Sequence, residues 1–287
     1  MRRRLLLALS TCFGLVTAPL AAKAAEDTPD AVACEGCEAL LELAAASDLR
    51  KADRVRDPYR HPVETLTFLG VRPDMKVGEF APGGEWYSRL LGLYLGGQGK
   101  LVGLYADPVV GRYPAEATER LRKSAAAYPA DVARFTGMSA DKFASYTLDA
   151  VPEGEKGTFD HVLVIRMLHN MMRAGTADTD IRAMRELLKP GGLLGVVQHR
   201  AKADAPFAYS SGGKGYLREA DVIKFIEANG FELVGKSEVN ANPKDSADWP
   251  SGVWTLPPTL AHKEHDREKY TAIGESDRMT LLFRKRD

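Results

Sequence analysis

Short apolar runs alternate with helical stretches from residue 76 onward, and this alternation constrains the fold more than any other feature. Residues 76–80 read as a strand that ends in Ala81-Pro82-Gly83-Gly84, and 86–95 as the helix after it. A strand at 101–105 follows Gly96-Gly97-Gln98-Gly99, then a helix at 114–127 with proline in its first turn, and a third strand at 132–136. Residues 161–165 read as a buried strand. Ile181, Met184, Leu187 and Leu188 mark a helical stripe stopped by Pro190-Gly191-Gly192. The run at 193–198 is the continuous apolar strand expected where both sheet faces are covered. Val222, Ile223, Phe225 and Ile226 lie on another helix ended by Asn229-Gly230, and 231–239 and 279–284 alternate like antiparallel edge strands. Parallel neighbours need helical crossovers, so the expectation is an α/β, doubly wound, mostly parallel sheet.

The amino terminus stands outside this pattern. Arg2, Arg3 and Arg4 precede an apolar stretch that runs to Leu20, followed by Ala22-Lys23-Ala24. A basic start, an apolar middle and a small-x-small site describe a Sec-type signal peptide cut after Ala24. The expected divisions are a signal at 1–24, an extension at 25–55 and an α/β domain at 56–287, with 240–277 inserted between its last two strands. Periplasmic export follows, with no stable membrane insertion once the signal is removed. The mature chain would hold 35 basic against 39 acidic residues, a net −4, which argues against nucleic acid as a partner. Cys34 and Cys37 remain after loss of Cys12, and an oxidising compartment makes a local disulfide the expectation, with a redox or metal role as the alternative.

Ligands of open α/β sheets bind at the carboxyl ends of the strands, where the strand order reverses. The first strand–turn–helix is therefore the place to search. Neither G-x-G-x-x-G nor a P-loop is present there or near Gly213-Lys214. Glu79-x-Ala81-x-Gly83 does resemble the E/D-x-G-x-G motif of class I S-adenosylmethionine-dependent methyltransferases. Phe159-Asp160-His161-Val162-Leu163, Leu187-Leu188-Lys189-Pro190-Gly191-Gly192-Leu193 and Gly230-Phe231 resemble further segments of that family. Arg60-His61-Pro62, Arg166-Met167-Leu168-His169-Asn170 and Gly252-Val253-Trp254 resemble exported, methyltransferase-like proteins more specifically.

The resemblance implies a seven-stranded sheet with an antiparallel last strand and S-adenosylmethionine as cofactor. It places Glu79, Ala81, Gly83, Gly84, Tyr105 and Asp107 along the cofactor, and Arg166, His169, Asn170 and His199 around a small-molecule acceptor. The chain departs from the motif at Ala81 and Glu85, which stand where glycines are usual, and at Tyr105, which stands where an acid usually ends the second strand. Asp107 comes two residues later.

Read as residues alone, Arg166 forks onto a carboxylate or phosphate and His169 accepts a proton, or both cap a helix and satisfy loop carbonyls. Trp86 and Tyr87 pack over a ligand or into the core. His262-x-x-His265 lies in a charged run and reads as a solvated face rather than a metal pair. Gly274-Glu275-Ser276-Asp277-Arg278 lacks the second glycine of a nucleophile elbow. The insertion is long enough to serve as a substrate lid. Two functions remain from different classes: a methyltransferase, and a non-catalytic periplasmic binding protein that retains the fold.

Overall fold

The computed structural model describes residues 34–287, so the export signal, its cleavage point and Cys12 lie outside the described residues. Seven strands form one sheet: β1 (Lys76–Phe80), β2 (Lys100–Tyr105), β3 (Phe143–Thr147), β4 (Phe159–Ile165), β5 (Leu188–His199), β6 (Phe231–Ser237) and β7 (Arg278–Lys285). Their order is β3-β2-β1-β4-β5-β7-β6. All pairings are parallel except those of β7, which runs antiparallel to both β5 and β6. The order reverses between β1 and β4, which pair through Val77 and His161.

Helices cover both faces. On one lie α1 (Cys37–Ala46), α2 (Asp57–Arg60), α3 (Pro62–Phe68), α4 (Trp86–Leu95) and α5 (Ala115–Thr136). Leu41, Ala44 and Ala45 of α1 recur at helical spacing and join Leu66, Leu90, Leu91 and Tyr128 in one core layer. The Cys34–Cys37 disulfide is present at the start of α1. On the other face lie α6 (Leu168–Ala174) and α7 (Ala177–Leu187); the single turn α8 (Phe207–Ser210) then leads to α9 (Glu219–Ala228). Their stripe of Ile181, Met184, Val222 and Ile226 packs with Phe159, Val162 and Val196 in the second layer. A last helix, α10 (Arg267–Ile273), closes the segment before β7. No helix among the described residues is long and apolar enough to cross a membrane.

Two expectations are corrected here. The apolar run at 132–136 is the last part of α5, and the third strand forms later, at Phe143–Thr147. Ala125, Tyr128 and Val132 fall on one helical face, where Tyr128 packs against Gly103 and Val132 against Gly92. That periodicity of three and four outweighs the short β-branched cluster. β7 is no edge strand. It lies between β5 and β6, with Leu282 in the first core layer and Met279, Leu281 and Phe283 in the second.

Candidate functional site

A cleft of about 370 Å³ opens at the carboxyl ends of β1 and β4, where the strand order reverses. Its floor is the turn after β1. Ala81 continues the sheet by donating its N–H to Leu104 O at 2.7 Å, and Glu85 N–H returns to Pro82 O at 2.9 Å. Between them the backbone turns left-handed three times, with φ of 49° at Ala81, 56° at Gly83 and 59° at Glu85. Residues with a Cβ hold that region at a cost of roughly 1–2 kcal/mol each. The turn thus holds a glycine-type backbone at two residues that carry a Cβ, Ala81 and Glu85. A Cβ on Gly83 would find its nearest atom 3.7 Å away and one on Gly84 would find none within 4 Å, so the space beside both is free.

Glu79, next to the last residue of β1, lies beneath this turn and is 4% exposed. Ser88 Oγ donates to its Oε2 at 2.5 Å, yet burial pushes the carboxyl up to about 7. Arg166 follows β4 directly, in a left-handed conformation with φ of 58°. Two residues later α6 begins and presents His169 and Asn170 to the cleft. Gln198, on β5, donates its side-chain amide to Gly215 O at 2.7 Å, which leaves Oε1 as the acceptor facing His169 Nδ1 at 3.3 Å. His169 Nδ1 therefore carries the proton and Nε2 keeps its lone pair. Burial holds this imidazole down at about 4, against the opposing pull of Gln198. His199 ends β5 with its ring 5.3 Å from that of His169 and Nδ1 2.5 Å from Ser276 Oγ. Burial, with His169 and Arg166 nearby, keeps it neutral as well. Trp254 completes this side, its ring 6.0 Å from His169.

The wall opposite comes from the segment ahead of β1 and from α4. Asp53 receives two hydrogen bonds from Arg89, at 2.6 and 2.5 Å, and its carbonyl accepts from Trp86 Nε1 at 3.0 Å. The guanidinium groups of Arg50 and Arg60 lie 5.0 and 4.5 Å from the Trp86 ring, which joins the core layer and also lines the cleft with Tyr87. Arg56 and Arg60 line the cleft beside Asp53. Sequence reasoning gave Asp53, Arg56 and Arg89 no role, because each acts through a partner far along the chain: Asp53 meets Arg89, and Arg56 meets Glu275. The signal for Arg60 was the segment Arg60-His61-Pro62.

The cleft gathers Glu79, Ala81, Gly83, Gly84, Arg166, His169, Asn170 and His199. Asn170 is partly engaged with its own helix, through Met167 Sδ at 3.5 Å and Arg173 Nη1 at 3.4 Å. Tyr105 and Asp107 stay outside the lining. Tyr105 turns its hydroxyl toward Ser124 O at 3.4 Å, and Asp107 Oδ1 accepts from Val109 N–H at 2.7 Å and Val110 N–H at 3.0 Å, closing its own turn. Among the described residues no group of three or more His, Cys, Asp or Glu could hold a metal ion. A larger cavity of about 480 Å³ lies beside the disulfide and His161, at the amino ends of the parallel strands. That is the wrong edge of the sheet for binding in this architecture.

No protein-family model matches the chain, and no curated protein matches it. Solved structures do. The chain is similar to the [4+2]-cyclase SpnF at 18% identity and a TM-score of 0.50, over 82% of this chain and 81% of that one. It is also similar to an S-adenosylmethionine-dependent methyltransferase from Aquifex aeolicus, at 15% identity and a TM-score of 0.47, over 83% and 99%. A third is the Burkholderia thailandensis 1,6-didemethyltoxoflavin-N1-methyltransferase with bound 1,6-didemethyltoxoflavin and S-adenosylhomocysteine, at 13% identity and a TM-score of 0.41, over 88% and 84%. The strand order β3-β2-β1-β4-β5-β7-β6 with an antiparallel β7 is the seven-stranded, Rossmann-like fold of class I methyltransferases, and the likeness to SpnF is one of fold alone.

Proposed function

We propose that the protein is an S-adenosylmethionine-dependent methyltransferase acting on a small molecule. The observation that carries this reading is the left-handed turn at 81–85, set at the reversal point of a methyltransferase-type sheet with open space beside Gly83 and Gly84. Such a turn lets backbone approach a ligand closely, and strained backbone concentrates at functional sites. The cleft is large enough for a nucleoside-sized ligand, and the buried Glu79 lies beneath the turn. These residues fit the cofactor at its methionine side. No carboxylate ends β2 to meet a ribose, so Asp107 would have to serve from its turn.

Bound there, S-adenosylmethionine supplies an electrophilic methyl group that an acceptor's lone pair displaces from sulfur. The chain's part is orientation and proton handling. His169 Nε2, unprotonated at neutral pH, is the group able to take a proton from an acceptor. Gln198 fixes its tautomer and Ser276 holds the neighbouring His199. Trp254 and the Asp53–Arg89 pair wall the cleft against water.

Calorimetry with S-adenosylmethionine and S-adenosylhomocysteine tests the reading. Wild type should bind both, and Gly83→Val should abolish binding while the far end of the sheet stays folded. No heat from wild type with either compound would replace the enzyme by a binding protein that retains the fold. We propose in addition that the chain is exported, on the strength of its basic–apolar–small-residue start and the paired cysteines. Periplasmic material should then begin at Ala25 on amino-terminal sequencing, and material beginning at Met1 would refute export.

A further inference from the structure

The arginine side of the cleft holds more positive charge than it compensates. Glu275 receives Arg56 at 2.6 Å, Arg60 at 3.3 Å and Arg278 at 3.1 Å. Arg166 lies close enough to feel Arg278, Glu275 and Arg56, has no ion-pair partner among the described residues, and its buried Nε meets no acceptor. Both Nη atoms of Arg60 are likewise buried without a partner, in a residue 1% exposed. Four guanidinium groups thus surround a single carboxylate.

The other acids of the cleft do not make up the difference. Asp53 is committed to Arg89 by two hydrogen bonds. Glu79 is bonded by Ser88 and, with burial raising it to about 7, carries only part of a charge at neutral pH. Burial and mutual repulsion push Arg60 down to about 9 and Arg166 down to about 10. Unpaired buried charge is costly unless a counter-ion arrives with its own hydrogen-bond acceptors. Guanidinium forks match the paired oxygens of carboxylates and phosphates.

We propose that this arginine wall is the subsite for the carboxylate or phosphate of an anionic small-molecule acceptor, an assignment that rests on the methyltransferase reading. Its position favours the acceptor over the cofactor. Arg166 stands three residues before His169, and Glu275 adjoins the Ser276 that holds His199. An anion held by Arg166 would therefore sit beside His169, with Arg60 meeting it from the opposite wall, over the Trp86 ring.

Calorimetry on the whole protein tests this, with inorganic phosphate and malonate as probes, each titrated with and without saturating S-adenosylhomocysteine. At least one probe should bind in both conditions, and the preferred probe tells phosphate from carboxylate. Arg166→Met and Arg60→Met should each weaken binding by about tenfold or more, as loss of a charge-assisted contact does. Arg120→Met, on the exposed face of α5, should change nothing. Arg60 is deeply buried, so if its variant fails to fold, Arg166→Met decides alone. The subsite is overturned if neither probe binds wild type, or if Arg166→Met binds as well as wild type. Exclusion of both probes by S-adenosylhomocysteine would assign the wall to the cofactor's own carboxylate and overturn the acceptor assignment. If S-adenosylhomocysteine gives no heat while a probe binds, the anion subsite stands and the acceptor assignment falls with the methyltransferase reading.

Discussion

Ala81 and Glu85 hold a left-handed turn without glycine. Both have φ near the value of Gly83, at 49° and 59° against 56°, a conformation that costs a residue with a Cβ. Glycine there should recover part of that cost, offset by the greater freedom glycine gives the unfolded chain. Ala81→Gly is expected to stabilise the protein by up to about 1 kcal/mol in urea unfolding; a clear loss would mean that the methyl group, not the backbone, is what the site needs. His169 makes the second prediction at this scale. Burial holds its imidazole at about 4, well under its usual 6.5. The ring should stay neutral down to about pH 5, as read by ring-nitrogen NMR with His169→Ala to assign the signal. Protonation near pH 6.5 would mean that burial does not hold the ring neutral. The His169→Ala variant should still bind S-adenosylhomocysteine with affinity close to wild type, since the side chain lies on the acceptor side of the cleft.

Asp245 is the centre of one buried hydrogen-bond network in the insertion at 240–277. Asp245 is fully buried and accepts from Tyr216 Oη at 3.0 and 3.1 Å, Trp249 Nε1 at 2.7 Å, Ala247 N–H at 2.9 Å and Asp277 N–H at 2.8 Å. These bonds tie the insertion to the start of β7 and thereby place Trp254 over the cleft. Asp245→Ala would leave several buried donors unpaired, each costing about 1–3 kcal/mol. The expected result is a loss of at least about 3 kcal/mol and rapid proteolysis within 240–277; a variant as stable and as resistant as wild type would contradict the anchor. Asp245 also marks the limit of what the sequence discloses. The strands at 76–80 and 193–198 and the turn at 81–85 were legible because hydrophobic run length and glycine clustering are local signals. The roles of Asp245, Arg60 and Glu275 were not, because each depends on partners far along the chain: Arg60 and Glu275 meet across 215 residues. The third strand was misplaced for a related reason, since a β-branched cluster hides a helical face until its packing partner is known.

Across the whole molecule, the buried titratable groups set how stability responds to acid. His161 and His169 are each lowered from 6.5 to about 4 by burial, and burial lowers His199 well below 6.5 as well. Between pH 6.5 and 4.5 the unfolded chain protonates these three imidazoles while the folded protein refuses the protons, which favours unfolding. Two acids act in the opposite sense. Burial raises Glu79 from 4.5 to about 7 and Asp180 from 3.8 to about 6, so the folded state takes up protons there that the unfolded chain does not. Three protons against two leave the unfolded state ahead by roughly one, and stability should fall by about 1.4 kcal/mol per pH unit through that window. Above pH 7.5 these groups have no differential left and the curve should level. Urea midpoints at pH 7.5, 6.5, 5.5 and 4.5 measure the slope. Glu79→Gln removes one of the opposing acids, so its curve should descend about twice as steeply through the same range. A wild-type curve that is flat or rises on acidification would mean that the histidines are not held neutral. A variant slope equal to the wild type's would mean that Glu79 is ionised in the folded protein, and the buried carboxyl beneath the turn at 81–85 would need a cation of its own.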